Sequence, residues 1–275
     1  MKLLETFHSK TIMKLHLYLY MYCLFCLIGT FSATLTNRTT LLKLYDQYYV
    51  IENNPTHFVE KVQSLASTNP CAQYVLGNCY MRGRGVSQNK SRAIELWKEA
   101  YLKHHPVAAR NLAVNYFTSC PNEALEYAEN GCKWGSGHAC VLAGMIQSGT
   151  EQCEAPTAKG CYCPKIHNQK VAMKYYMKGL ELGCATAAFL IGEENFDNMD
   201  LVAAAGYFGA AYFEWGVGDG YDGNWIYQGL INSLNPSELV AAEHITEFLL
   251  KKYPRLHRDR VQLTREALNL SVCDK

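Results

Sequence analysis

The chain carries almost no net charge: 26 Lys and Arg stand against 25 Asp and Glu, a formal +1 over 275 residues. A nucleic-acid binder needs a clustered basic face. Lys and Arg are scattered here, so no nucleic-acid partner is expected. The densest basic stretch, Lys251-Lys252 through Arg255, Arg258 and Arg260, is interleaved with Leu256, Asp259, Val261 and Leu263, as on a solvated amphipathic surface. Catalytic signatures are missing too. There is no Gly-x-Ser-x-Gly elbow, no His-Glu-x-x-His zinc helix and no phosphate-cradling Gly-Lys-Thr loop. Gly216-Val-Gly218-Asp-Gly220 is half a dinucleotide fingerprint with no strand before it, and reads as a helix–helix connector. Glu193, Glu194, Asp197 and Asp200 read as solvated carboxylates at a helix end, and His104-His105-Pro106 as a solvated loop at a repeat junction. No catalytic residue, metal or cofactor is expected.

What the sequence does contain is repetition. An Ala is followed five residues later by Gly, or once by Ala, in four places: Ala72–Gly77, Ala108–Ala113, Ala139–Gly144 and Ala187–Gly192. A second segment follows each, with an Ala, aromatics three or four residues on and a small residue at +7. These are Ala93/Trp97/Ala100, Ala124/Tyr127/Gly131, Ala172/Tyr175/Tyr176/Gly179 and Ala204/Tyr207/Phe208/Ala211. Successive copies start 36, 31 and 48 residues apart, the period of helix–turn–helix units with loop insertions. One such pair cannot bury its apolar face alone, so pairs must stack. The first copy is the fullest: Ala72-Gln-Tyr-Val-Leu76-Gly77-Asn-Cys-Tyr80, then Gly83-Arg-Gly85-Val86, then Ala93 to Ala100. The later three lack the Gly-x-Gly-Val turn, and Gln147 and Asn195 replace the template Tyr.

This order resembles the Sel1-like repeat family, relatives of the tetratricopeptide repeats, over roughly residues 70–216. The resemblance implies an all-α protein, a right-handed α-solenoid of stacked helix–turn–helix repeats, acting as a scaffold for protein partners. The expected organisation is a signal peptide or anchor over 1–33, capping helices over 34–70, repeats over 71–220, and a helical repeat with a cap over 221–275. Asn235-Pro236-Ser237 marks a helix start in that last part.

The N-terminus suggests export. Lys10 and Lys14 precede an apolar run from Leu15 to Ile28 broken only by His16, and small residues follow to Ala33. The same stretch, from Ile12 to Phe31, is about the 20 residues that can span a bilayer, so an uncleaved anchor stays open. That segment is the one membrane contact expected.

Cysteine usage points the same way. Ten of the 12 cysteines lie beyond the apolar run, a density rare in a reducing cytosol. Cys132 ends the second helix of one unit and Cys140 lies on the first helix of the next, so a short turn brings them within bonding reach. Cys71 and Cys79 fall on one helix about 12 Å apart and cannot pair. The insertion from Thr150 to Pro164 holds Cys153, Cys161 and Cys163, and a bond from Cys153 to Cys161 or Cys163 is expected. The Cys132–Cys140 placement is similar to the secreted, cysteine-rich Helicobacter-type branch of the family. That branch brings a second function to weigh, weak β-lactam binding or hydrolysis. Ser87-Gln-Asn-Lys90 fits the Ser-x-x-Lys string but sits in an inter-helix turn. Assembly work in an oxidising compartment is a third.

Relative to the template Gly, positions −3, +1 and +4 form a stripe opposite the core positions. Among its residues, Tyr74, Asn78, Met81, Arg110, Phe117, Met145, Phe189 and Glu193 are the candidate contacts for a protein or peptide on the concave face. The alternative is that its aromatics pack under loops or between helices.

Overall fold

The computed structural model describes residues 40–47, 53–149, 168–215 and 223–254, and every regular element among them is helical. A short helical stretch at 40–47 leads in. Then come α1 (Pro55–Gln63), a 3-10 turn (Leu65–Ser67), α2 (Pro70–Arg82), α3 (Lys90–Leu102), α4 (Pro106–Tyr116) and α5 (Pro121–Lys133). They are followed by α6 (Gly137–Ser148), α7 (Gln169–Glu181), α8 (Ala185–Asp197), α9 (Leu201–Trp215), α10 (Gly223–Ser233) and α11 (Pro236–Lys252). The four template copies are the antiparallel pairs α2/α3, α4/α5, α6/α7 and α8/α9, an α-solenoid. The expected signal segment, the Cys153–Cys161 region, the Gly216–Gly220 connector and the last basic stretch from Arg255 lie outside the described residues.

Local chemistry fixes where these helices begin. Pro occupies the first turn of α1, α2, α4, α5 and α11, where its missing N–H costs nothing. Asn69 Oδ1 accepts from the N–H groups of Cys71 and Ala72, both at 2.9 Å. Asn235 and Glu238 form a reciprocal capping box on α11. At the other end of α2, Gly83 adopts φ 67°, the left-handed turn that the Gly-x-Gly-Val string provides.

The template residues are the packing code of the array. Ala72, Ala108, Ala139 and Ala187 are all fully buried. In three of the four units the template Gly faces the aromatic of the second helix. A methyl group on Gly77 would lie 2.6 Å from the Trp97 ring, and one on Gly192 would lie 2.8 Å from Phe208. Gly144 meets Tyr176 in the same way. The second unit reverses both members: Ala113 replaces the Gly and Ala128 stands where the others place the aromatic ring. Both are fully buried in one small cluster with Ala143. Added volume on one helix is thus offset by removed volume on the other, as a close-packed interior requires. The small residue at +7 makes the next contact: Gly131 lies against Ala139, and Gly179 against Ala187, of the following unit.

The backbones of neighbouring first helices also approach, α4 to α6 and α6 to α8, whereas consecutive second helices meet through longer side chains, as Tyr101 meets Tyr127 and Tyr175 meets Glu129. From α4 to α8 the row of first helices is thus the tighter, inner side of the stack. A disulfide joins Cys132 on α5 to Cys140 on α6, with a Cα separation of 4.5 Å. Cys71 and Cys120 are disulfide-bonded as well. Cys79 is a buried thiol whose pKa is pushed up to about 11 by that burial.

The last pair departs from the pattern. Beyond its own partner α8, α9 packs on α11 more closely than on the adjacent α10. Gly206 and Gly209 admit Ile245 and Thr246, and the Thr246 hydroxyl donates to the Gly206 carbonyl at 3.0 Å. α10 is left to one side, and a groove opens beneath it.

The Gly–aromatic exchange is testable. Ala128→Tyr alone should cost about 1–3 kcal/mol by overpacking against Ala113. Ala113→Gly combined with Ala128→Tyr should recover at least half of that loss in urea unfolding. Additive losses in the double variant would refute the compensation.

Candidate functional site

The eight stripe residues do not form one exposed surface. Tyr74 is 8% exposed and Phe189 is 9% exposed, so both belong to the core. This corrects the outward placement read from the repeat register. The reason is that the following junction closes over Tyr74 and the second helix of its own unit closes over Phe189. The Tyr74 ring stacks on His105 of the next junction, with centroids 4.7 Å apart. Phe189 packs on Phe208 at 5.2 Å. Met145 is half-buried against the same C-terminal core. Phe117 is half-buried at the C-terminal end of α4.

His105 corrects a second expectation. It is fully buried rather than solvated, and its Nδ1 accepts from the Ala108 N–H at 3.1 Å. It therefore caps α4, ahead of Pro106. Its neighbour His104 is exposed, holds φ 64°, and stacks on Trp134 at 4.7 Å. Tyr101, Tyr127 and Tyr116 continue from Trp134 as a series of ring contacts, edge-to-face between Tyr101 and Tyr127 and tilted at the other two. The Ser87–Lys90 string is the turn into α3, with Asn89 Oδ1 accepting from the Arg92 N–H at 3.0 Å. Asp200 caps α9 through the Ala203 N–H. Among the described residues no group of three or more His, Cys, Asp or Glu is placed to hold a metal ion.

Three stripe residues do come together. Asn78, Met81 and Arg110 line a cavity of about 240 Å³ between α2 and α4, with Arg82, Trp97, Asn111, Val114 and Asn115. The template explains the opening: α2 and α4 do not pack as closely as α4 and α6 do. A polar relay spans the gap instead. The Arg110 guanidinium donates to Asn111 Oδ1 at 3.0 Å, and Asn111 Nδ2 donates to Asn78 Oδ1 at 2.9 Å. Asn78 also hydrogen-bonds the Tyr74 hydroxyl; burial still raises the Tyr74 pKa. His138, at the start of α6, is pushed down to about 4 by burial, with help from the positive charge of Arg110. It is neutral at physiological pH and adds no charge to the cavity.

Glu193 lies elsewhere. It lines the larger groove, about 730 Å³, with Phe196, Asp197, Met199, Leu201, Phe208 and the α10 residues Ile226, Gly229, Leu230 and Ser233. Burial and the neighbouring Asp197 raise its pKa. The stripe register missed Arg82, Trp97, Asn111 and Asn115. Asn78 and Asn111 stand one near-repeat apart in the sequence, which was the available signal.

Comparison with known proteins agrees with this architecture. The Sel1 repeat model matches residues 72–105, the α2/α3 unit and the junction after it. One unit of the chain thus matches the Sel1 repeat, and the fold is similar to that of solved Sel1-like repeat proteins. A crystal structure of c5321, a protective antigen of uropathogenic Escherichia coli with an SLR fold, superposes with TM-score 0.65 at 20% identity. The match covers 82% of this chain and 48% of that one, so the chain spans about half the length of that protein. A Sel1 repeat protein from Oxalobacter formigenes gives TM-score 0.57 at 18% identity, over 79% of this chain and 89% of that one. No curated protein sequence matches.

Two outcomes follow from the site. Tyr74→Ala and Phe189→Ala should each cost about 3 kcal/mol or more in denaturant unfolding, as truncation of a buried aromatic does. A change below about 0.5 kcal/mol, usual for surface positions, would restore the outward placement. His138 supplies the other. Its folded-state pKa lies below its unfolded one, so the unfolded chain binds the extra proton. Its contribution is complete above the unfolded value of about 6.5, and is lost as pH falls from there towards about 4. His138→Gln should flatten that part of the stability–pH curve, read from urea melts at fixed pH steps. An equally steep curve in the variant would assign the slope to other groups.

Proposed function

We propose that the chain is an exported protein-interaction scaffold that binds a protein or peptide segment on the inner face of its first helices. Sel1 repeat proteins are generally scaffolds of this kind. The observation that carries the reading for this chain is the polar cavity between α2 and α4. Asn78, Met81 and Arg110 converge there from two units, whereas the stripe aromatics Tyr74 and Phe189 are committed to the core. A surface assembled from two repeats is how a stacked array builds a recognition site.

Export rests on the charged-then-apolar N-terminal segment, the even number of cysteines beyond it, and the bridge between Cys132 and Cys140. The E. coli relative is a protective antigen, which is compatible with an exposed location for proteins of this fold. Among the described residues no helix is long and apolar enough to cross a membrane.

The test is site-specific photocrosslinking in the native compartment, with the photoreactive residue in place of Val114 or, as a control, Lys174. A partner should be captured from Val114 and not from Lys174. Equal capture from both positions, or none, removes the inner-face assignment. Non-reducing peptide mapping of the same material should show Cys132 joined to Cys140. Full alkylation of both thiols would argue against an oxidising compartment.

A further inference from the structure

Resting on that scaffold reading, we propose that the α2–α4 cavity is a carboxylate-binding site, which takes an acidic group of a peptide segment on the partner protein. Two guanidinium groups, Arg82 and Arg110, line a space of about 240 Å³, and no Asp or Glu lines it. Neither arginine is ion-paired with a carboxylate among the described residues, although the chain has almost as many acidic as basic side chains. Nearby Glu95 and Glu99 are held by Arg92 instead. Two cations in one concavity repel each other, and a bound anion relieves that repulsion.

The relay shows how the site is held ready. Arg110 spends one N–H on Asn111 Oδ1, and Asn111 is fixed in turn by its bond to Asn78 on the neighbouring unit. The side chain is oriented while its other donors remain for a ligand. A guanidinium fork matches the two oxygens of a carboxylate. Half of the relay, Asn111, is buried, so the positioning comes from the fold and not from a loose surface side chain.

The amides select a peptide as the bearer of that carboxylate. Asn78 from α2 and Asn111 and Asn115 from α4 line the cavity, and a carboxamide pairs a donor and an acceptor as a peptide bond does. The indole of Trp97 supplies an apolar side for the adjoining side chain. Polyanions fit less well. Two cations in a chain of net charge +1 do not form the extended basic track that a phosphate backbone needs.

The experiment uses the exported chain and three fluorescein-labelled hexapeptides, titrated by anisotropy at low salt. One has internal Glu and Asp with an amidated end. The second has Gln and Asn with a free terminal carboxylate. The third has Gln and Asn with an amidated end. At least one acidic probe should bind ten times more tightly than the third, and the first two arms separate side-chain from terminal carboxylates. Arg110→Gln and Arg82→Gln should each weaken the acidic probe about tenfold, with Lys174→Gln unchanged and thermal melts confirming folded protein. Acetate should displace the probe at lower concentration than inorganic phosphate does.

Equal binding of all three probes, unchanged affinity in both arginine variants, or preferential displacement by phosphate overturns the proposal. So does the failure of every acidic probe to bind. If the probes fail while Val114 still crosslinks a partner, the carboxylate assignment falls and the scaffold reading stands. If no partner is crosslinked while an acidic probe binds, the reverse holds.

Discussion

The contact on which the rest of the molecule depends is a missing side chain against a flat ring. In three of the four units a Gly on the first helix lets an aromatic ring of the second lie against its backbone. The helices approach so closely there that a single methyl group would overlap the ring. This sets the separation within each pair. It also sets where the +7 small residue falls and so how the next unit docks. The second unit supports the interpretation by exception. With Ala113 in place of Gly and Ala128 in place of the ring, the summed volume is redistributed and the unit still stacks. What the fold constrains is the pair of positions and not either residue alone.

A structure built from neighbour contacts has its weakest points at the junctions between units. Those junctions carry the unusual chemistry. The α3–α4 turn puts the non-glycine His104 in a left-handed conformation and buries His105 as a helix cap under Tyr74. The α5–α6 turn carries the Cys132–Cys140 bridge. A cross-link over so short a loop removes few unfolded conformations, and the chain-entropy model credits it with about 2–3 kcal/mol. Its placement matters more than its size. It ties to its successor the one unit in which the ring–Gly contact is replaced by smaller alanines.

Much of this was legible because a fixed Ala–Gly spacing is a property of backbone approach, and backbone approach is what the fold repeats. The α2/α3 unit could be read residue by residue, from Asn69–Pro70 at its start to Gly83 at its first turn. The fate of the outer stripe could not be read in the same way. Whether Tyr74 points to solvent depends on what the following junction places over it, and that is His105, some thirty residues on. The sequence around His104-His105-Pro106 has the polarity of a loop, yet one of its histidines lies in the core as a cap. A period identifies equivalent positions but says nothing of their surroundings once loops and turns differ between copies. Phe189 is a similar case: it was assigned to the outer face by register and is claimed by the Phe208 ring of its own unit.

The same limit explains where the candidate site lies. A perfectly regular array would present the same inner surface at every junction, with no reason for a ligand to prefer one. Here α4 packs on α6 and α6 on α8, but α2 and α4 stand apart and are joined by side chains. The gap leaves Trp97 reachable from the inner side, which explains why a template core residue also lines a cavity. Arg82 reaches the same space from the last turn of α2, beside the Gly-x-Gly-Val turn that the other three units lack. The unit with the fullest template thus supplies the arginine at the helix end, and its degraded neighbour supplies Arg110 and Asn111. The cavity lies where two copies differ, because there the stacking leaves a space that side chains bridge.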